Sequence, residues 1–166
     1  MPLFYNRMKK IKNPYTGIKG YNCFACAPGN ELGLHMEFVD EGEYLCSYWT
    51  PRDQFQGYKN LLHGGIQATL MDELAAWYIS TKMGTGGVTA RMETRYKKPV
   101  YTDKGPLKLR ASLKESNNRI ATILVELYNN NGELGSTGTI EYFILNPEKA
   151  KETLMYPGKE AFYEDE

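Results

Sequence analysis

A single aspartate, Asp72, lies in the most apolar helical pattern of the chain. Ile66–Lys82 is the only long run with helical periodicity, and at about 3.6 residues per turn its apolar side chains cover nearly the whole circumference, which is typical of a buried helix. Asp72 projects between Ala68 and Ala76, whose small side chains leave space beside the carboxylate. Because burying an unpartnered carboxylate is costly, Asp72 either accepts a hydrogen bond from a loop or partner chain, or faces a cleft as a general base or nucleophile.

The helix pattern is preceded by the turn His63-Gly64-Gly65. The first amides of a helix have no partner within it and lie at the positive end of its dipole, and glycines let a ligand approach the backbone closely. This turn is therefore suited to hold a carbonyl oxygen that gains negative charge, although glycines also end ordinary loops before helices. Glu73 is a competing carboxylate. It projects beside Ile66, and a solvated charge on the helix face explains it equally well.

Strand patterns flank the helix on both sides. Two alternating runs around the Asp40–Gly42 turn predict a hairpin before it, and an Asn131-Gly132 pair is a strong hairpin signal after it. The predicted strands are Leu34–Val39, Tyr44–Thr50, a strand from Val88, Leu107–Lys114, Arg119–Tyr128 and Leu134–Leu145. One long helix against about six antiparallel strands predicts an α+β fold. We expect an irregular lead-in over residues 1–33, the domain over 34–146, and a peripheral tail over 147–166 with a short helix near Glu148–Thr153.

The composition excludes several classes of protein. A length of 166 residues fits one domain, and 20 basic against 20 acidic residues argue against nucleic acid as the main partner. No run approaches the roughly 20 apolar residues that a membrane-spanning helix needs. Three cysteines, with no export signal over Met1–Lys12, favour a reducing compartment, so we expect the cytoplasm.

The run Phe55–Glu73, FQGYKNLLHGGIQATLMDE, resembles the signature of PaaI-type hotdog-fold acyl-CoA thioesterases. In that family a His-Gly-Gly turn opens the central helix, and an acidic residue follows nine positions after the histidine, as Asp72 does here. Gly87-Val88-Thr89 is similar to the family's entry into the strand after the helix. The resemblance covers residues 32–146 and implies a hotdog fold, in which a strongly bent antiparallel sheet wraps a long helix.

The resemblance also implies a reaction and an assembly. The chain is expected to hydrolyse acyl-CoA, or a related acyl thioester, as a homodimer or homotetramer whose subunits share each site. The amides of Gly64 and Gly65 would polarise the thioester carbonyl, with His63 helping to position it. Asp72 of the facing subunit would activate water or attack directly.

Further site residues are expected around this centre. The resemblance places Thr89 near the attacking water, on a strand face with Arg91 and Glu93, and makes Gln56 the nearest counterpart of a side-chain amide found in some relatives. Cations near strand ends are candidates for the coenzyme A phosphates, or are simply solvated surface charges: Lys97, Lys98, Lys104 and Arg119. No cofactor is expected, because coenzyme A is part of the substrate.

The pair Cys23-x-x-Cys26 raises the question of a metal. Cys46 and His35 could complete four zinc ligands, but a structural zinc site usually has two close pairs and the second is missing, so we expect no metal here. A thioredoxin-like role is disfavoured, because no strand-to-helix context follows the pair. The segment resembles one found in some bacterial PaaI-type relatives, and we interpret it as a lid or edge element.

Two other functions on the same fold stay open. The first is an acyl-CoA-binding module without turnover, which Asp72 disfavours, because a binder has little use for a buried carboxylate. The second is an enoyl-thioester hydratase, although the sequence has no motif that matches one. The sequence does not choose the acyl group.

Overall fold

The central helix, α1 (Gly64–Tyr78), begins at the predicted glycines and continues through a π-helical turn at Ile79–Met83. The computed structural model describes residues 8–164; the ends of the predicted lead-in and tail, residues 1–7 and 165–166, lie outside this range. The helix ends at Gly84, whose φ of 71° is left-handed. No helix in residues 8–164 is long and apolar enough to span a membrane.

An antiparallel sheet of seven strands wraps this helix. In chain order the strands are β1 (Lys9–Lys10), β2 (Val39–Glu41), β3 (Tyr44–Trp49), β4 (Gly87–Tyr96), β5 (Leu107–Ser116), β6 (Ile120–Tyr128) and β7 (Leu134–Ile144). Their order across the sheet is β1-β2-β3-β5-β6-β7-β4. One helix against a curved antiparallel sheet confirms the predicted α+β hotdog fold, with β1 as the strand that the sequence did not indicate.

The first predicted strand is mostly irregular. Only Val39–Glu41 forms a strand, whereas Leu34 and Met36 donate their amides to the carbonyls of Phe24 and Ala25 in the lead-in. Between them His35 has a φ of 54°, which no strand residue adopts. The alternation of Leu34–Phe38 therefore reflects burial against the lead-in rather than a ladder.

The core fills the space between the helix and the concave face of the sheet. Leu70, Leu74 and Met71 of α1 are fully buried, as are Leu109 of β5 and Ile123 of β6. Burying a side chain of this size stabilises the fold by about 1.5–3 kcal/mol. The helix therefore has a fixed orientation relative to the sheet, which decides where its polar residues point.

The sequence predicts a peripheral tail, but in the structure this segment packs against the core. A second helix, α2 (Pro147–Leu154), is followed by Tyr156, which is buried, and by Phe162, which is 0% exposed. The Phe162 ring meets Trp77 of α1 edge-on, with 5.3 Å between ring centroids. The charged residues that made the tail look solvated alternate with these aromatic anchors.

A β-bulge at Ala90 changes the direction of the side chains in β4. Thr89 pairs with Tyr142 of β7, and Arg91 pairs with the next residue, Glu141, so the register shifts between them. Thr89 therefore lies on the helix side of the sheet with Tyr142, whereas Arg91 lies on the opposite face. The expectation that Thr89 shares a face with Arg91 and Glu93 was wrong, because strict alternation fails at a bulge.

Strand β4 forms one edge of the sheet. Nine of its ten residues pair with β7, and within residues 8–164 no strand pairs with its other side. Most of its side chains are exposed on both faces, including Val88 and Tyr96. A long edge strand with unpaired amides and carbonyls is a ready template for another strand.

Candidate active site

Asp72 is held by two hydroxyl groups at one of its two carboxylate oxygens. Thr89 donates from Oγ1 to Asp72 Oδ1 at 2.9 Å, and the Tyr142 phenol donates to the same oxygen at 2.5 Å. The phenol also lies 2.6 Å from the backbone carbonyl of Asp72. Burial and the nearby Asp72 carboxylate raise the pKa of Tyr142 above its ordinary range, so the phenol keeps its proton and remains a donor.

The second carboxylate oxygen of Asp72 has no hydrogen bond from any described residue, and Asp72 forms no ion pair with any of them. The side chain is half-buried near the β4 edge. Asp72 is therefore fixed through Oδ1 and available through Oδ2, which is the arrangement that a general base or nucleophile needs.

The helix start presents a second set of polar groups. His63 is the N-cap residue, and its Nδ1 accepts the amide of Gly65 at 2.9 Å. This bond places the imidazole proton on Nε2, where it can be donated to a ligand. The amide of Gly64 has no acceptor within residues 8–164. Of the two glycine amides expected to bind a carbonyl oxygen, Gly64 remains available and Gly65 is already occupied.

A cavity of about 760 Å³ opens beside the helix start. Its lining includes His63 and Gly64 together with Lys97 and Lys98, so two of the expected phosphate-binding cations lie at this site. Tyr96 closes one side and donates its hydroxyl to the Gly64 carbonyl at 2.6 Å. A β-carbon at Gly64 would come within 3.3 Å of the Tyr96 ring, so a larger residue here requires that ring to shift by a few tenths of an ångström.

The remaining expected residues are dispersed. Gln56 accepts the Asn60 amide through Oε1 at 2.8 Å, so its side chain supports the loop before His63. Arg119 is exposed in the β5–β6 turn, next to Ile144 and hence at the Gly87 end of β4. Lys97 follows the other end of β4, and one chain does not bring these two cations together. Lys104 is exposed outside the lining of the cavity.

Asp72 and His63 also stand apart within one chain. Nine residues separate them along a helix that rises about 1.5 Å per residue, which amounts to about 13 Å. His63 and Asp72 of one chain therefore do not form one compact site.

Two contributors were not expected from the sequence. Nothing in the sequence indicates that Tyr142 contacts Asp72, because the alternating pattern of β7 predicts only that Tyr142 is a core residue. Gln67 lies one turn into α1, is 6% exposed, and lines the cavity. Its Nε2 donates to the Leu62 carbonyl, but its Oε1 has no partner within the described part of the chain. A buried acceptor without a donor is uncommon and suits a ligand that carries an N–H group.

Glu73 points away from Asp72 and is not a solvated charge. It is half-buried against the lead-in, where it accepts the Trp77 indole N–H at 3.0 Å and lies 3.5 Å from the Cys23 sulfur. Burial and the charge of Cys23 raise the pKa of Glu73 to about 7. The Cys26 thiol and the amides of Cys26 and Ala25 lower the pKa of Cys23 to about 5.

The other proposed zinc ligands are not part of this cluster. Cys46 is buried in β3, and burial raises the pKa of its thiol to about 12. His35 is exposed, and its ring lies against the backbone carbonyl of Asn30. The four-ligand set of Cys23, Cys26, Cys46 and His35 that the sequence raised and disfavoured is therefore not assembled.

Comparison with known proteins agrees with the fold. The family model for the thioesterase superfamily matches residues 59–136, which include the His63 turn, α1 and Asp72. No curated protein matches the chain in sequence. Protein RHA08564, a thioesterase superfamily protein, is similar in structure with a TM-score of 0.68 and 22% identity; the match covers 73% of this chain and 59% of that one, less than two thirds of its length.

Two further structures carry informative descriptions. The E. coli PaaI protein from the phenylacetic acid degradation operon has a TM-score of 0.61 and 16% identity, covering 69% of this chain and 82% of that one. A Bacillus halodurans protein solved with CoA has a TM-score of 0.54 and 25% identity, covering 60% and 70% respectively. The chain is thus a hotdog-fold protein with the thioesterase-superfamily signature, and its resemblance to PaaI-type thioesterases is confirmed.

Proposed function

We propose that the chain hydrolyses acyl-CoA thioesters in a site shared by two copies of itself. The observation that carries this proposal is the state of Asp72: one oxygen is fixed by Thr89 and Tyr142, and the other has no partner in the described chain. The thioesterase-superfamily match over residues 59–136, which include Asp72 and Thr89, supports the class of reaction.

The chemistry follows from the groups at the two positions. His63 Nε2–H and the Gly64 amide of one copy bind the carbonyl oxygen and stabilise the charge that develops on it. Asp72 of the other copy removes a proton from water, which attacks the carbonyl carbon, or attacks that carbon itself. The carbon–sulfur bond then breaks, and the thiolate leaves and takes up a proton. When Asp72 attacks directly, its carboxylate forms an anhydride with the acyl group, which water then hydrolyses to restore Asp72. On either route the products are the free acid and coenzyme A.

The edge strand β4 provides the surface for a second copy. An isologous pairing of two β4 strands would be antiparallel, because a two-fold axis relates the copies. The Thr89 end of one strand then lies beside the Tyr96 end of the other. This places Asp72 of one copy next to the helix start of its partner, and it removes the unpaired edge.

Coenzyme A recognition is assigned to the cavity beside the helix start. Lys97 and Lys98 lie where phosphates would enter, and the unpartnered Gln67 Oε1 is placed to accept an amide N–H of the pantetheine arm. In the antiparallel pair, Arg119 of the second copy would approach the same cavity. The structure solved with CoA, at 25% identity, supports this class of ligand. Three free cysteines and a CoA substrate fit the cytoplasm.

Release of free thiol from a panel of acyl-CoA esters tests the proposal. The wild-type chain should release coenzyme A from at least one ester, and Asp72→Asn should reduce turnover by about 10²–10⁴-fold, as expected for loss of a general base. The asparagine carbonyl can still accept from Thr89 and Tyr142, so the fold should persist, and circular dichroism checks this.

Other results would contradict the proposal in distinct ways. Tight binding of acyl-CoA without thiol release, together with unchanged binding by Asp72→Asn, would identify a binding module. Addition of water to an enoyl-CoA without thiol release would identify a hydratase. Full thiol release by Asp72→Asn would exclude Asp72 as the base.

A further inference from the structure

Three side chains of types that can ligate a metal converge where the lead-in meets the central helix, two from the lead-in and one about fifty positions later. The sulfurs of Cys23 and Cys26 and one carboxylate oxygen of Glu73 all lie within 4.8 Å of one another. Within residues 8–164 this is the one group of three or more such donors that could hold a metal ion. None of the three takes part in the proposed hydrolysis, because Glu73 leaves the helix in a different direction from Asp72.

One donor–donor distance of the cluster matches an edge of a tetrahedral zinc site. With about 2.3 Å from zinc to sulfur and about 2.0 Å from zinc to oxygen, the edge between a sulfur and an oxygen of the tetrahedron is about 3.5 Å. Cys23 Sγ and Glu73 Oε1 are 3.5 Å apart. The side chains therefore need only small movements to share one ion.

No described cation forms an ion pair with Glu73, although Lys19 lines the cavity beside this residue. Glu73 is half-buried, its described hydrogen bonds come from Trp77 and Cys23, and no ion pair among the described residues includes it. A carboxylate is retained in such a place only at a cost unless something compensates its charge. A divalent cation bound to two thiolates and this carboxylate would do so, and the Trp77 N–H would orient the ligand from outside.

The cluster borders open space. It lines a second cavity of about 550 Å³, whose other walls include Tyr21, Ala76 and Gly86. Three protein ligands and a face open to a cavity leave a fourth position for water, as in zinc sites that are not closed. The Tyr21 hydroxyl already lies 2.8 Å from Cys26 Sγ and is near enough to contact that water or the sulfur.

We propose that Cys23, Cys26 and Glu73 bind one divalent cation of the zinc class, with water as the fourth ligand. Two soft thiolates and one carboxylate select such an ion over magnesium or calcium, which prefer oxygen ligands. The ion links the lead-in to α1 and fixes both on the side of the helix opposite the described cavity at its start. The site stands independently of thioester hydrolysis.

Metal binding by the full-length chain tests this site. The protein is purified under reducing conditions, freed of metal with a chelator, and titrated with Zn²⁺ against a chromophoric chelator. We expect about one ion per chain. Co²⁺ in place of zinc should give the sulfur-to-cobalt charge-transfer absorption of thiolate ligands. Each of Cys23→Ser, Cys26→Ser and Glu73→Gln should lose more affinity than the roughly 10–100-fold typical of a residue that only supports a ligand.

Cys46→Ser is the matched control, since it removes a buried cysteine outside the cluster. It should bind Zn²⁺ as the wild type does. If the cluster variants fail to fold, alkylation of the wild-type chain decides the question: bound zinc should protect Cys23 and Cys26, mapped by mass spectrometry, and leave the modification of Cys46 unchanged. Absence of stoichiometric binding to the wild type, or a Cys23–Cys26 disulfide that persists in the reduced preparation, overturns the proposal.

Discussion

Mixing two inactive variants, Asp72→Asn and His63→Ala, should restore thioesterase activity if each site uses two copies of the chain. Asp72 lies nine residues beyond His63 on one rigid helix, about 13 Å away at the usual rise per residue. In a homodimer of either variant, both sites lack the same group, Asp72 in one variant and His63 in the other. In a mixed dimer, one site combines the intact His63 of one copy with the intact Asp72 of the other, whereas the second site carries both defects.

The size of the recovery follows from this arithmetic. Random association makes half of the dimers mixed, and one of the two sites in each mixed dimer is complete, so the expected rate is about a quarter of the wild-type rate. The unmixed variants should be far below this value. Loss of the base costs about 10²–10⁴-fold, and loss of one oxyanion donor costs about 10²–10³-fold.

The assay is thiol release from the preferred acyl-CoA after the two variants are unfolded together and refolded. The matched control mixes Asp72→Asn with the double variant Asp72→Asn/His63→Ala, which offers no intact Asp72 to any site and should show no recovery. Recovery near a quarter in the first mixture alone supports a shared site. If both mixtures stay inactive although mixed dimers form, as seen with two affinity tags, the two residues do not act on one substrate and the reasoning from the helix is wrong.

Three further predictions concern stability and substrate binding. Tyr142→Phe removes the phenol that holds Asp72 and should lower the free energy of unfolding by about 1–2 kcal/mol in urea titrations; an unchanged value would contradict the hydrogen bonds described. Lys97→Ala and Lys98→Ala should each raise KM by a few fold and leave kcat unchanged, because exposed charge pairs contribute about 0.2–1 kcal/mol. Burial raises the pKa of Asp40, but hydrogen bonds from Lys82 and Tyr163 outweigh this effect and lower it below its usual value. Its stabilising effect is therefore present at neutral pH and is lost as the pH falls below about 4, so Asp40→Asn should destabilise at pH 7 and much less in acid.

The helix and most strands could be predicted because their patterns are local. The periodicity of Ile66–Lys82 and the alternation of Leu107–Lys114 depend on neighbours within a few positions, and both elements are present with small changes at their ends. The turn at His63 and the position of Asp72 nine residues later are equally local. These features are enough to place two candidate chemical groups at known positions on one helix.

Features that depend on distant contacts could not be predicted. Tyr142 reaches Asp72 from a strand seventy positions away, and nothing near either residue in the sequence indicates the contact. The charged residues around Phe162 predict a solvated tail, yet its ring packs against Trp77. The bulge at Ala90 inserts a single residue into a ladder, which leaves the alternating pattern of the sequence intact while it reverses the faces that follow.

Asp72 and Glu73 show how far a sequence pattern can predict the role of a residue. Successive residues on a helix diverge by about 100°, so two neighbouring carboxylates on one helix face different surroundings. Asp72 faces the edge strand, where hydroxyl groups hold one oxygen and leave the other available. Glu73 faces the lead-in, where two sulfurs and an indole surround it. The sequence identifies both as acidic residues in an apolar helix, and only the packing of the lead-in on one side and the edge of the sheet on the other separates a candidate base from a candidate metal ligand.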